Sequence, residues 1–305
     1  MDANILGVEI GGTKLQIVRG NRTGTIQKRF RFQVDRLHGA EGIRRHIEQT
    51  VRKLRKAHRV TAIGIGFGGP VDGRTGRICC SHHVEGWSDF PLAEWVATFA
   101  GAPVRVDNDA NVAALGEARL GAGSGENPVF YVTLGSGVGG GLVVDGRIYH
   151  GAVPGEAELG HVRLDRRGST VESRCAGWAV DRKIREHTLQ RPDGLLARLV
   201  GAQTGGEAKH LGTALARGDR AAHKILSETA ADLAFGLSHV THLFHPEVVV
   251  IGGGLSLLGE PLRQAVAEAL PAFVMAAFQP GPRVALTELG EDAVPVGALL
   301  LASGG

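Results

Sequence analysis

Residues 7–18 (GVEIGGTKLQIV) and residues 131–144 (YVTLGSGVGGGLVV) share one pattern, and this pattern predicts the fold. Each stretch consists of an apolar strand, a glycine turn and an apolar return strand. We interpret them as equivalent elements of two α/β domains that face one central cleft. The first domain is expected to span residues 1–120, joined by a C-terminal helix at 293–305. The larger second domain is expected to span residues 121–292.

The spacing of apolar residues predicts the elements around these two stretches. Further strands are expected at 26–34, 62–66, 104–106, 248–251 and 284–287, and helices at 40–57, 91–99 and 111–120. Asp145-Gly146 is a strong signal for a two-residue hairpin turn. From about residue 172 onward, the chain is predicted to be mostly helical.

The composition argues against several classes of protein. Hydrophobic residues make up 43% of the 305 positions, and the 46 glycines are clustered, which indicates sharp turns and close backbone approach to a ligand. A net charge of +3 without a long basic run gives no indication of nucleic-acid binding, and no apolar run reaches the length of a membrane span. Three sparse cysteines and the lack of a secretory signal predict a cytoplasmic protein.

The glycine turns are candidate phosphate-binding segments. A tight turn between strands points several backbone N–H groups in one direction, and such a nest binds phosphate oxygens. Gly11-Gly12 would form one nest, with Thr13 and Lys14 adding a hydroxyl and a cation, and Gly135–Gly139 would form a second. A single glycine hairpin is more often only a structural turn. Two matching turns and a third run, Gly252–Gly254, together favour a ligand site, although the P-loop pattern is absent.

A polar cluster lies within VDNDANVAALGE (106–117), between a short strand and a helix. One of Asp107, Asn108 and Asp109 is expected to be the helix N-cap, which does not account for all three. Two carboxylates and an amide at the carboxyl end of a strand also suit polyol binding and acceptance of a proton. Phosphoryl transfer needs such a base near the attacking hydroxyl.

A second polar segment is GEAELGHVRL (155–164), in which Glu158 and His161 are three residues apart. Alone, they would be an ordinary charge pair on one helical turn, but the flanking glycines favour a shaped loop. Glu172 follows at the start of the helical stretch, where an acidic residue is also expected for reasons of the helix dipole.

The cysteines and the histidines near them are the remaining candidates for a metal site. Cys79, Cys80, His82 and His83 are of metal-ligand types, but neighbouring side chains of an extended segment point to opposite faces and are not expected to converge on a metal. Cys175 lies at an apolar helix position and is predicted to belong to the core.

Eight segments of the chain together resemble the ROK family of sugar kinases over nearly the whole length. In order, they are GVEIGGTK (7–14), GFGGPVD (66–72), HHVEGWSDFPL (82–92), VDNDANVAALGE (106–117), TLGSGVGGGLVVDGRIYHG (133–151), AELGH (157–161), VESRCAGWAVDR (171–182) and HPEVVVIGGG (245–254). The resemblance implies the actin-like ATPase (ribonuclease H-like) fold, with ATP and a sugar bound between two α/β domains. It also implies Mg²⁺ bound with the nucleotide, and we expect a homodimer without nucleic-acid or membrane partners.

The resemblance assigns roles to individual residues. Asp109 corresponds to the family's catalytic base. The positions that correspond to sugar contacts are Gly69, Asn108, Glu158, His161 and Glu172, and His83 lies where the family approaches the sugar. The positions that correspond to nucleotide-binding segments are Gly11, Gly12, Thr13, Lys14, Thr133, Gly135, Ser136, Gly137, Gly252, Gly253 and Gly254.

The chain departs from the family pattern at two places. Glu9 replaces the usual aspartate, so a water-mediated contact with Mg²⁺ would have to be rearranged. Many members also hold zinc through a histidine and a CxCGxxGC run. Here the equivalent stretch, RLDRRGSTVES (163–173), contains no cysteine, so only His161 of a four-ligand set is present and no zinc is expected.

Three functions are compatible with these segments. The first is an ATP-dependent hexose kinase acting on glucose or an N-acetylhexosamine. The second is a non-catalytic sugar-sensing regulator, which the presence of Asp109 and the early start of GVEIGGTK disfavour. The third is a polyphosphate-dependent glucokinase, which also lacks the cysteine run. Hexose selectivity depends on one or two hydrogen bonds from loops, which the sequence does not specify.

Overall fold

The computed structural model describes residues 4–35, 38–81, 84–153, 155 and 157–304, which contain strands β1–β12 and helices α1–α10. The strands are β1 (Asn4–Ile10), β2 (Lys14–Gly20), β3 (Ile26–Gln33), β4 (Val60–Phe67), β5 (Val71–Asp72), β6 (Arg77–Ile78), β7 (Val104–Asn108), β8 (Val129–Leu134), β9 (Val138–Val144), β10 (Arg147–Ile148), β11 (Val248–Gly252) and β12 (Arg283–Leu286). The helices are α1 (Gly39–Ala57), α2 (Leu92–Ala100), α3 (Asp109–Leu120), α4 (Val171–Cys175), α5 (Gly177–Gln190), α6 (Leu195–Val200), α7 (Leu211–Ala216), α8 (Arg220–Phe244), α9 (Glu260–Ala269) and α10 (Ala293–Ala302). None of the described helices is long and apolar enough to cross a membrane.

The chain divides into two compact units, each built from more than one segment. The first unit comprises Met1–Tyr131, Gly141–Ala157 and Glu288–Gly305, and the second comprises Val132–Gly140 and Glu158–Thr287. The domain boundaries expected from the sequence, near residues 120 and 292, remain a prediction. Both strand–glycine–strand stretches form neighbouring strands as predicted, β1 with β2 and β8 with β9.

The sheet of the first unit has the strand order β3-β2-β1-β4-β7. β1, β2 and β3 are antiparallel neighbours, whereas β4 and β7 run parallel to β1. Because side chains alternate along a strand, β1 contributes to both faces of the sheet. Leu6, Val8 and Ile10 belong to the core that includes the apolar face of α1, whereas Ile5 packs with Leu299 of α10.

Glycines bring α10 unusually close to its neighbours. A Cβ added at Gly64 of β4 would lie 1.9 Å from the carbonyl oxygen of Ala298 in α10. A Cβ added at Gly297 of α10 would lie 1.8 Å from the carbonyl oxygen of Val112 in α3. The backbones of β4, α10 and α3 therefore touch directly, and only glycine fits at these two contacts.

A buried carboxylate joins α3 to the C-terminal segment of the same unit. Glu117 accepts hydrogen bonds from the backbone N–H groups of Ala122 (2.9 Å), Glu288 (3.3 Å) and Leu289 (3.0 Å). The side chain is fully buried, so these charge-assisted bonds compensate for its lost hydration. They fix the chain just before it enters α10.

The second five-stranded sheet has the order β10-β9-β8-β11-β12. The hairpin between β9 and β10 turns at Asp145 (φ 50°) and Gly146 (φ 68°), as predicted for this dipeptide.

In the second unit, Cys175 of α4 is fully buried and its thiol lies 3.6 Å from the carbonyl oxygen of Thr229 in α8. Burial raises the pKa of Cys175 to about 12, and its predicted place in the core is confirmed.

A polar network crosses the antiparallel part of the first sheet. Glu9 of β1 faces Gln16 of β2, whose amide nitrogen donates to Glu9 Oε2 over 2.7 Å. Lys14 Nζ lies 3.3 Å from Glu9 Oε1. Gln16 Oε1 in turn accepts from Arg29 and Arg31 of β3, each at 2.9 Å. Burial raises the pKa of Glu9 more than Lys14 and Gln16 lower it.

We expect Gly297→Ala to destabilise the protein although alanine is the better helix former. The added methyl group would meet the Val112 carbonyl, and such overpacking costs about 3 kcal/mol, or roughly 6–12 °C in Tm. Scanning calorimetry measures the effect. Gly212→Ala in α7 is the matched control, because its Cβ would be at an ordinary 3.7 Å from Leu258. Equal Tm values for the two variants would contradict the close packing of α10.

We expect Glu9→Gln to raise the Tm relative to the wild type, increasingly as the pH rises above about 4.5. The folded protein raises the pKa of Glu9, so the unfolded chain releases this proton first and folding stability falls as pH increases. Glutamine has no proton to release, so its own contribution to stability does not change over this pH range. Thermal unfolding between pH 4 and 8 tests this, with Glu41→Gln on the exposed surface of α1 as the control for charge removal. A Tm difference that shrinks with rising pH would refute it.

Candidate functional site

Three parallel strands of the first unit end side by side. In the register of the sheet, Ile10 of β1 lies opposite Phe67 of β4, and Phe67 lies opposite Asn108 of β7. The residues that follow these strands are therefore neighbours, and the N–H of Gly68 donates to the carbonyl oxygen of Ile10 over 2.8 Å. The carboxyl ends of parallel strands are where ligands bind in open α/β sheets.

Asp109 begins α3 at this edge and is half-buried. The helix starts two residues earlier than the sequence predicted, because Asn108 is its N-cap and accepts from the N–H groups of Ala110 (2.8 Å) and Asn111 (3.3 Å). The carboxylate of Asp109 lies next to Gly68, where an added Cβ would be 3.3 Å from Oδ2. The expectation that one residue of the polar cluster caps a helix is thus met by Asn108.

Asn108 and Gly69, both predicted to contact a sugar, contact each other. The side-chain amide of Asn108 donates to the carbonyl oxygen of Gly69 over 3.1 Å. This hydrogen bond fixes the glycine loop after β4 beside the start of α3. The Gly69 carbonyl and the Asp109 carboxylate are consequently held together at the same edge of the sheet.

The first glycine turn is a closed hairpin between β1 and β2. The N–H of Gly11 donates to the carbonyl oxygen of Lys14 over 3.0 Å, and the carbonyl of Thr13 accepts from Val34 over 3.0 Å. Thr13 is exposed, while Lys14 folds back on Glu9. The turn lies at the same end of the sheet as Asp109, since it follows Ile10 directly.

Sequence reasoning missed one pair in this unit. His150 Nε2 lies 2.7 Å from Asp107 Oδ2, although the two residues are 43 positions apart. Asp107 Oδ1 also accepts from the N–H of Asn108 (2.8 Å) and the amide of Asn111 (3.0 Å). Nothing in the local sequence around His150 indicates this partner, which becomes a neighbour only through the topology of the unit.

In the second unit, the turn between β8 and β9 is the counterpart of the first glycine hairpin. The N–H of Gly135 donates to the carbonyl oxygen of Gly137 over 2.9 Å. The carbonyl of Gly135 accepts from Gly177, the first residue of α5, over 2.8 Å. Ser136 is exposed at the tip, and Thr133 is half-buried at the end of β8. These hydrogen bonds hold the turn against the start of α5, with Ser136 at its exposed tip.

Val138 connects the predicted sugar residues of the second unit to this turn. Its N–H donates to Glu172 Oε2 over 2.9 Å. Its carbonyl oxygen lies so close to Gly160 that a Cβ there would be 2.2 Å away. Gly160 is the middle residue of a short 3₁₀ turn between the exposed side chains of Glu158 and His161. The second unit therefore gathers Glu158, His161 and Glu172 around one strand end.

The third glycine run ends β11. Gly253 has a φ of 81°, and an added Cβ would lie 2.6 Å from the backbone of Leu134 at the end of β8. Ser256 Oγ donates to the carbonyl oxygen of Gly253 over 2.7 Å and holds this turn. Gly252–Gly254 thus lies next to the β8–β9 turn.

In the described part of the chain, no group of three or more His, Cys, Asp or Glu side chains could hold a metal ion. The segment that replaces the cysteine run is closed by its own groups: Leu164 N–H donates to the Ser169 carbonyl (2.8 Å), and Asp165 Oδ1 accepts from Arg167 N–H (2.6 Å). Cys79 and Cys80 are not joined in a disulfide, whereas His82 and His83 lie outside the described residues.

Comparison with known proteins identifies the family to which the chain is similar. The ROK family matches residues 5–304. A glucokinase from Thermotoga maritima is 32% identical over 302 residues, which cover 96% of this chain and 95% of the relative. A crystal structure of a ROK family glucokinase from Streptomyces griseus in complex with glucose and AMPPNP has a TM-score of 0.86 at 32% identity, covering 99% of this chain and 100% of that one.

A ROK hexokinase from Thermus thermophilus is similarly close, with a TM-score of 0.80 at 29% identity over 98% of this chain and 97% of that one. These structures confirm the predicted actin-like ATPase fold, which ROK sugar kinases share. The matched segment includes every residue that the sequence analysis assigned to the site. The chain therefore belongs to the ROK family.

Proposed function

We propose that this protein is an ATP-dependent hexose kinase, that its sugar is glucose and that Asp109 is the general base. The observation that supports this most is the position of the Asp109 carboxylate, at the shared end of three parallel strands and beside Gly68. A base there can accept the proton of a sugar hydroxyl as it attacks the γ-phosphorus of ATP. Glucokinase relatives about 30% identical over nearly the whole chain support glucose as the sugar.

The first unit would bind the sugar through Asn108 and the loop at Gly69. In this proposal, the Gly11–Lys14 hairpin approaches the phosphates. Lys14 pairs with Glu9, but its side chain is 41% exposed and can turn toward a phosphate. Such a movement would release Glu9 Oε1 for a water of Mg²⁺, which arrives with ATP and neutralises phosphate charge.

The second unit would supply the remaining contacts. Thr133 and the turn from Gly135 through Ser136 to Gly137 would bind nucleotide phosphates through backbone N–H groups, together with Gly252–Gly254. The side chains of Glu158 and His161 are exposed and would form hydrogen bonds with sugar hydroxyls. Glu172 uses Oε2 for Val138, which leaves Oε1 for a hydroxyl.

An assay panel decides between this proposal and the alternatives named by the sequence. ATP and polyphosphate are each offered with glucose, N-acetylglucosamine and N-acetylmannosamine, and phosphorylated sugar is measured. Higher kcat/KM for ATP and glucose supports the proposal. Faster turnover with an N-acetylhexosamine or with polyphosphate selects another kinase function, and sugar binding without any turnover selects a sensor.

We expect Asp109→Asn to lower kcat by at least about 100-fold while the KM for glucose changes little, because the amide keeps the shape but cannot accept the proton. Steady-state kinetics and Tm are measured together. Asp193→Asn, at an exposed carboxylate, is the matched control and should keep full activity. An Asp109→Asn variant that retains more than a tenth of wild-type turnover would remove Asp109 from this role.

We also expect the purified protein to contain no stoichiometric zinc. The segment at 163–173 lacks cysteine and is closed by backbone and Asp165 hydrogen bonds instead. EDTA should leave the Tm unchanged yet abolish activity, and Mg²⁺ should restore the activity. Metal analysis near one zinc per chain, or a drop in Tm on chelation, would contradict the prediction.

A further inference from the structure

We propose that His150 is a positioning residue: its hydrogen bond to Asp107 orients the turn that presents Asp109. The inference rests on the proposed role of Asp109, but the contact itself lies entirely within the first unit. The distance between His150 Nε2 and Asp107 Oδ2 is 2.7 Å. Because an ionised carboxylate only accepts hydrogen bonds, His150 donates through Nε2–H.

Asp107 holds the backbone and side chains on both sides of Asp109. Its Oδ1 accepts from the N–H of Asn108, the residue before the proposed base, over 2.8 Å. The same oxygen accepts from the side-chain amide of Asn111, two residues after the base, over 3.0 Å. A rotation of the Asp107 carboxylate would loosen both bonds, and the N-cap residue Asn108 would lose its fixed orientation.

His150 lies outside this turn, and its hydrogen bond to Asp107 prevents the carboxylate from rotating. The side chain of Asp107 is only 5% exposed, whereas that of His150 is 41% exposed. Gly73 lies against the pair, since an added Cβ would be 3.2 Å from His150 Nε2 and 3.4 Å from Asp107 Oδ2. The carboxylate is thus confined between its own turn, Gly73 and the imidazole.

His150 also packs against the segment that follows it in the first unit. It follows β10, and the chain folds back against it at Gly155, where an added Cβ would be 3.0 Å from the Cβ of His150. The chain then continues to Glu158. The imidazole that binds Asp107 is thus also held by packing of His150 against the backbone at Gly155.

The chemistry predicts a specific effect of losing the imidazole. Asp107 Oδ2 would then face a space open to solvent, so water can hydrate it and the fold should persist. Water does not hold the carboxylate at one angle, and a base displaced by about 1 Å costs about 100-fold in rate. His150→Ala should therefore lower kcat by roughly 10- to 100-fold, while the KM for ATP stays near its wild-type value.

A variant series separates positioning from mere stability. His150→Gln can still donate an N–H to Asp107 and should recover most of the lost kcat, whereas His150→Ala and His150→Phe should not. His223→Ala, at an exposed histidine of α8, is the control and should match the wild type. Kinase assays, Tm and hydrogen exchange of the peptide covering 104–115 are measured for every variant.

Hydrogen exchange makes the test independent of activity. The amides of Asn108, Ala110 and Asn111 should exchange faster in His150→Ala and His150→Phe than in the wild type, and should be protected again in His150→Gln. If exchange changes this way in a protein without kinase activity, the proposed function fails and the positioning contact stands. If His150→Ala exchanges like the wild type, or keeps kcat within threefold, or if glutamine restores nothing, the positioning role is refuted.

Discussion

The direct backbone contact of α10 with β4 and α3 is the constraint on which the candidate site residues of the first unit depend. Gly64 and Gly297 leave no space for a side chain between these elements, so their distances are set by the atoms of the main chain. Protein interiors are packed too densely for such contacts to relax independently. Since β4 precedes the glycine loop and α3 begins with Asp109, the position of α10 fixes how near the loop lies to the carboxylate.

Buried carboxylates complete this arrangement, and each is held by donors that come from a different part of the chain. Glu117 accepts backbone N–H groups near the entry to α10, Glu9 accepts from the facing strand, and Asp107 accepts from its own turn and from His150. A buried carboxylate is costly unless it is hydrogen-bonded, so each one selects a single arrangement of its donors. The edge of the sheet that presents Asp109 is thereby specified by polar contacts as well as by packing.

The sequence allowed the local features of this structure to be predicted. The two strand–glycine–strand stretches, the Asp145-Gly146 turn and the apolar face of α1 all depend on residues within a few positions of one another, and the described elements match them. The start of α3 was wrong by two residues, because apolar spacing begins later than the cap that Asn108 supplies. The contact between Asp107 and His150 depends on the tertiary fold, because the two residues are 43 positions apart. The close backbone contact at Gly64 likewise depends on α10, a helix far along the chain.

The late position of α10 in the chain has a consequence for biosynthesis. The first sheet is made early, but the helix that covers Gly64 and the segment that satisfies Glu117 leave the ribosome only after the entire second unit. Domains generally fold from the N-terminus as they emerge, yet here the N-terminal sheet would wait with one apolar face uncovered. Such a nascent chain presents the strand edges and apolar surface that chaperones bind. The contacts that position the edge of the first sheet therefore form only after the second unit has been synthesised.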